Sequence, residues 1–193
     1  MAIKIGLVKT FLSRAAANLK SVPQQESISQ TLVRLERVKI LIVYDSVSPS
    51  ITTTAVAKTI GDILEEKGIE VDSFFVNDVD KAVVKNYDCL LVGAPTIQFK
   101  ASPAIMQFLE GLPSNEFSGK LAAAFDTQIK LFMSGSAVKG IEEKLKGLDF
   151  RLFTKPLVVY VEGKIKENKW HFKEGELEKA KKWALELADT LSK

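Results

Sequence analysis

One cysteine and one histidine are all that the 193 residues offer of those two chemistries. Cys89 alone closes no internal disulfide and supports no thiolate zinc site, so a reducing, cytoplasmic setting is the expectation. It falls within an apolar strand pattern, where a thiol is inert. His171 leaves a serine–histidine relay or an imidazole metal centre only one ring to be built around, and a surface or packing role suits it. No apolar run reaches the roughly 18 to 20 residues that span a bilayer. No secretory h-region is visible. Internal repeats and low-complexity tracts are missing as well. What remains, 46% hydrophobic and 26% charged, is the composition of a folding domain.

Acid is scarce at one end only. Residues 1–37 carry Lys4, Lys9, Arg14, Lys20, Arg34 and Arg37 against Glu26 and Glu36. The rest holds 21 basic and 22 acidic side chains, so the net charge of +3 belongs to this arm. A neutral body argues against nucleic acid as a partner. Within the arm, Ile5, Val8, Phe11 or Leu12, Ala15 and Leu19 share a helical face, Pro23 interrupts, and Ile28, Leu32 and Leu35 resume. Residues 1–37 therefore read as a basic amphipathic helical extension. It either packs on the domain or a second copy, or lies on an anionic membrane surface.

From residue 38 to 193 the pattern is that of one domain. VKILIVYD (38–45), IEVDSFFV (69–76), YDCLLVGAP (87–95), KLAAAFDT (120–127) and PLVVYVEG (156–163) read as strands. Helices are expected over 53–67, 102–112, 136–148 and 174–191, with Ser102-Pro103 as an N-cap and N1 pair. Such alternation predicts an α/β fold, a doubly wound parallel sheet of five strands with helices on both faces.

Ligands of an open doubly wound sheet bind beyond the carboxyl ends of its strands. Three loops lie there: 45–53, 94–102 and 126–136. The first packs six hydroxyls into nine positions (Ser46, Ser48, Ser50, Thr52, Thr53 and Thr54) before a helix N-terminus, a phosphate-holding arrangement. It has no glycine and contains Pro49. G-x-G-x-x-G, the P-loop and the G-x-S-x-G elbow are all absent, and Asp45 has no acidic neighbour to make a phosphoacceptor pair. An FMN site survives this elimination: a hydroxyl-lined phosphate turn with two loops flanking a ring. A serine- and threonine-rich turn and N-cap without a ligand is the competing reading.

KILIVYDSVSPSITTTAVAKTI resembles the opening of flavodoxins, whose loop usually runs S-x-T-G-N-T before a V-A-x-x-I helix. VGAPTIQFKASPAIMQFLEGLP (92–113), GKLAAAFDTQ (119–128), SGSAVKGIEEKL (134–145) and KEGELEKAKKW (173–183) resemble a prokaryotic branch of flavodoxin-like proteins. The resemblance covers about residues 38–190 and implies strand order 2-1-3-4-5. It implies phosphate contacts from Ser46, Ser48, Ser50, Thr52 and Thr53. Pro95, Thr96, Ile97, Gln98 and Phe99 would lie along the isoalloxazine, with Phe99 the stacking candidate, or else a loop aromatic tucked under the domain. Asp126, Thr127, Gln128 and Phe132 would meet the ring edges, although Asp126-Thr127 also reads as a strand-end turn. The function implied is FMN-dependent electron transfer to a redox partner protein or a small acceptor such as a quinone. The alternative is a flavin-free flavodoxin fold used for protein or membrane contact.

Overall fold

The computed structural model describes residues 38–46, 51–130, 135–164 and 169–192. The amphipathic arm of 1–37, and with it the proposed domain boundary, lies outside them. Five parallel strands form where the apolar runs occur: β1 (Lys39–Tyr44), β2 (Glu70–Phe75), β3 (Cys89–Ile97), β5 (Leu121–Ile129) and β7 (Leu157–Lys164). Their order across the sheet is β2-β1-β3-β5-β7, the 2-1-3-4-5 arrangement expected. Three further strands complete it. The two-residue β4 (Lys100–Ala101) turns back antiparallel on β3, and β6 (Arg151–Leu152) runs parallel to β5. The third, β8 (Lys169–Phe172), returns antiparallel along β7 and forms the far edge.

Alternation along a strand sends successive side chains to opposite faces. Leu41 and Val43 join one cluster with α2 (Pro103–Glu110) and α3 (Ala137–Gly147), through Ile105, Leu109, Ile141 and Leu145. Ile40 and Ile42 join the other with α1 (Thr52–Glu66) and α4 (Glu176–Leu191), through Ile60, Leu64, Trp183 and Leu187. Each aliphatic side chain buried this completely contributes about 1.5–3 kcal/mol. The central strands are the tightest layer. A Cβ on Gly93 would fall 2.1 Å from the Phe125 ring, so glycine on β3 makes room for phenylalanine on β5.

Helix boundaries follow the turn residues closely. Ser102 is the N-cap of α2 with Pro103 in the first turn, yet its hydroxyl makes no capping bond and stays buried without a partner among the described residues. The cap is one of position only.

Candidate functional site

The loop after β1 leads directly into α1. The Asp45 N–H donates to the Gly93 carbonyl at 3.0 Å, and the Ser46 N–H to Asp45 Oδ1 at 2.8 Å. Ile51 is the N-cap of α1, with φ 37° and no side-chain capping bond. The first-turn N–H groups of Thr52, Thr53 and Thr54 have no carbonyl one turn earlier within the helix and stand at its positive end. Ser46 Oγ is buried with no partner among the described residues. Thr53 is fully buried, and its Oγ1 lies 2.7 Å from Thr127 Oγ1 on β5. That hydroxyl therefore ties helix to strand. Ser48, Pro49 and Ser50 lie outside the described residues. If Thr53 is the last threonine of S-x-T-G-N-T, Ile51 occupies the glycine position. It is also the residue with the left-handed backbone.

The second loop is a tight hairpin. Thr96 pairs with Ala101 and Ile97 with Lys100, leaving Gln98 and Phe99 as a two-residue turn with φ 46° and 69°. Positive φ at both central positions defines a type I′ turn, for which Asn-Gly is the favoured sequence. Gln-Phe holds that shape under strain. Gly135 lies behind it: a Cβ there would be 2.5 Å from both the Phe99 Cβ and the Phe99 carbonyl oxygen. The turn presents Phe99 outward, 58% exposed.

Asp126, at the end of β5, is fully buried. Its Oδ2 accepts from Ser136 Oγ (2.5 Å), Thr96 Oγ1 (3.1 Å) and the Ala137 N–H (3.1 Å), which also donates to Thr96 Oγ1 (2.9 Å). One carboxylate thus joins β3, β5 and the start of α3. Burial pushes its pKa above the ordinary value, while hydrogen bonds from Ser136, Thr96 and the Ala137 and Val138 backbone pull the other way. Asp126 Oδ1 has no partner among the described residues.

A cleft of about 180 Å³ opens over these carboxyl ends. Thr52, Pro95, Thr96, Ile97, Thr127 and Gln128 line it, all of them expected from the sequence. Gln128 Oε1, buried and without a partner among the described residues, belongs to this wall. Thr53 and Asp126 stand behind the lining, and Gln98 and Phe99 are not part of it. Phe132 lies outside the described residues. Ile129, Val161 and Trp170 complete the cleft without having been anticipated. The one signal for Trp170 is the polar–aromatic alternation of KWHF, which suits an antiparallel return strand.

Among the described residues no cluster of histidine, cysteine, aspartate or glutamate could hold a metal ion, and no helix is long and apolar enough to cross a membrane. A family model described as flavodoxin matches residues 42–183. The chain belongs to the flavodoxin family. The type A flavoprotein fprA of Rhodobacter capsulatus is 34% identical over 110 residues, 57% of this chain. The chain spans 22% of the length of that relative. A flavodoxin from the domain Archaea superposes with a TM-score of 0.65 at 22% identity, covering 81% of this chain and all of the other. The rubredoxin oxygen:oxidoreductase of Desulfovibrio gigas gives 0.64 at 20% identity, over 84% of this chain and 39% of its own. These two likenesses show the fold.

FMN is the cofactor of flavodoxin domains, and electron transfer is their work. The atoms present fit it. A phosphate requires convergent N–H and O–H donors, which the start of α1 and the shielded Ser46 hydroxyl can supply. A flat ring with a polar edge requires apolar walls and a free acceptor. Ile97, Val161 and Trp170 form such walls, and Gln128 beside them carries an amide oxygen with no partner among the described residues.

Proposed function

We propose that this flavodoxin domain holds FMN non-covalently along the cleft, phosphate at the start of α1 and ring between the ends of β3, β5 and β7. The observation that carries the reading is a cleft that runs from the first residue of α1, Thr52, to Gln128, whose amide oxygen has no partner among the described residues. FMN supplies the redox chemistry when bound. The protein's part is to bind, orient and shield it. Ser46 and Thr52, with Ser48 and Ser50, donate hydroxyls to the phosphate, and the α1 backbone replaces the donors that a glycine-rich loop would offer. Gln128 accepts from an N–H on the ring edge. Asp126 does not touch the ring; it holds Thr96 and the α3 start in place.

Electrons leave this site for a redox protein or a small acceptor such as a quinone. The body beyond residue 37 carries 21 basic and 22 acidic side chains, too balanced for long-range steering. A dedicated or docked partner suits it better than a freely diffusing shuttle.

Titrating the flavin-free protein with FMN and following flavin fluorescence tests the reading. Binding should weaken roughly tenfold or more in Ser46→Ala and again in Thr52→Ala, since a hydrogen bond to a charged group contributes about 1.5–3 kcal/mol. Absence of binding at high FMN would overturn it and leave a flavodoxin fold working without flavin.

A further inference from the structure

We propose that Trp170 is the aromatic face on which the flat ring in this cleft stacks, and that Gly163 positions it. The proposal rests on the reading that the cleft takes FMN.

The sheet register makes the case. Leu157 and Val159 of β7 pack against α1 and α4, so alternation sends Val161 and Gly163 to the same side. Cross-strand partners project from one face. Phe172, opposite Val161, packs into that same cluster, and Trp170 stands opposite Gly163. Trp170 therefore projects on the α1 side, one step further toward the carboxyl ends, where it lines the cleft with Thr52 and Ile97. Gly163 offers no side chain to fill the space over β7. A Cβ there would come within 1.9 Å of the Lys169 carbonyl oxygen and 3.1 Å of Trp170 Cα, so glycine sets how closely β8 approaches.

The two tryptophans are used differently. Trp183 donates its indole N–H to the Lys155 carbonyl at 2.9 Å and packs beside Phe125, as a core residue does. Trp170 is half-buried on an edge strand. Phe99, the aromatic the sequence pointed to, is absent from the lining. Among the described residues Trp170 thus supplies the aromatic surface of the cleft. An electron-rich indole prefers an electron-poor planar heteroaromatic, which is the chemical class of the isoalloxazine.

Trp170→Leu, Trp170→Phe and Gly163→Ala, each titrated with FMN, test this. Leucine keeps apolar bulk without an aromatic face and should weaken binding roughly 10- to 100-fold, the range of an aromatic–base stack. Phenylalanine should stay within several-fold of wild type. At saturation, flavin bound to wild type should be dark through contact with indole, and flavin bound to either Trp170 variant should be bright. Gly163→Ala keeps the indole but displaces it, so both affinity and quenching should fall. Equal affinities for wild type, leucine and phenylalanine variants, with unchanged emission, would overturn the Trp170 assignment and leave the FMN reading standing. If wild type binds no FMN, both fall. Should the leucine variant unfold, the emission of flavin bound to Trp170→Phe decides alone: bright supports stacking, dark overturns it.

Discussion

Thr53 at the start of α1 and Thr127 at the end of β5 share a buried hydrogen bond 2.7 Å long, across 74 positions of sequence. This bond fixes the first turn of α1 to β5. Thr53→Val or Thr127→Val leaves one hydroxyl buried and unpaired, at a cost of about 1–3 kcal/mol. The double variant removes both hydroxyls and should be less destabilised than the two single effects summed. Urea unfolding of the four proteins measures the coupling; strict additivity would show that the two hydroxyls do not interact.

Ile51 should be improved by glycine. A left-handed backbone costs a β-branched residue about 1–2 kcal/mol. Glycine gives some of that back, about 0.4–1 kcal/mol, through a freer unfolded chain. The side chain is 59% exposed, so little burial is lost. Ile51→Gly should raise Tm by about 2–4 °C and tighten FMN by bringing backbone donors closer. A lower Tm would mean that the loop does not strain isoleucine.

Gly135→Ala should do the reverse. Its methyl would meet Phe99 backbone and Cβ, which cannot swing aside as a long side chain could. Overpacking of this kind costs about 1–3 kcal/mol. The turn carrying Ile97 must move, so FMN affinity should fall together with Tm. A drop in Tm without any change in affinity would separate this turn from the ring.

Asp126 gives stability an acid-side signature. Its folded pKa is raised, burial being the largest cause. A carboxyl shifted upward contributes stability that is fully present below its unfolded pKa and is lost as pH rises through the folded value. Asp126→Asn does not titrate. The stability of wild type minus that of the variant should therefore decrease from about pH 4 upward. Unfolding curves at a series of pH values measure it. A difference that grows with pH would mean that the donors from Ser136, Thr96 and the α3 start outweigh burial.

The five parallel strands and four helices were legible because buried strands leave continuous apolar runs, and amphipathic helices leave a stripe. The short strands β4 and β6 have two residues each, too few for any period to register. Six of the nine residues that line the cleft were legible, most of them for a similar reason. Pro95–Ile97 and Thr127–Gln128 follow directly from strand ends, whose place in such a sheet is known. Phe99 was not, since its direction depends on the φ signs of a two-residue turn and on a glycine 36 positions away. Trp170 was hidden because its role depends on pairing with Gly163, a matter of register rather than composition. The Thr53 hydroxyl looked free in sequence because its partner lies on a strand 74 positions away.

The wall carrying Trp170 is joined to the sheet on one side only, since β8 pairs with β7 and ends the strand order. Parting it breaks one four-residue ladder and withdraws Phe172 from the cluster on that face, while the parallel sheet stays intact. Edge elements of this size fray at lower free energy than the core does. How tightly a bound ring is held and how long it stays are then governed by different parts of the molecule. Contacts within the cleft govern the first. With the ring stacked on Trp170 as proposed, fraying of this short strand should govern the second, so residues of β8 that never touch the ring should alter its exchange rate while leaving its equilibrium affinity nearly unchanged.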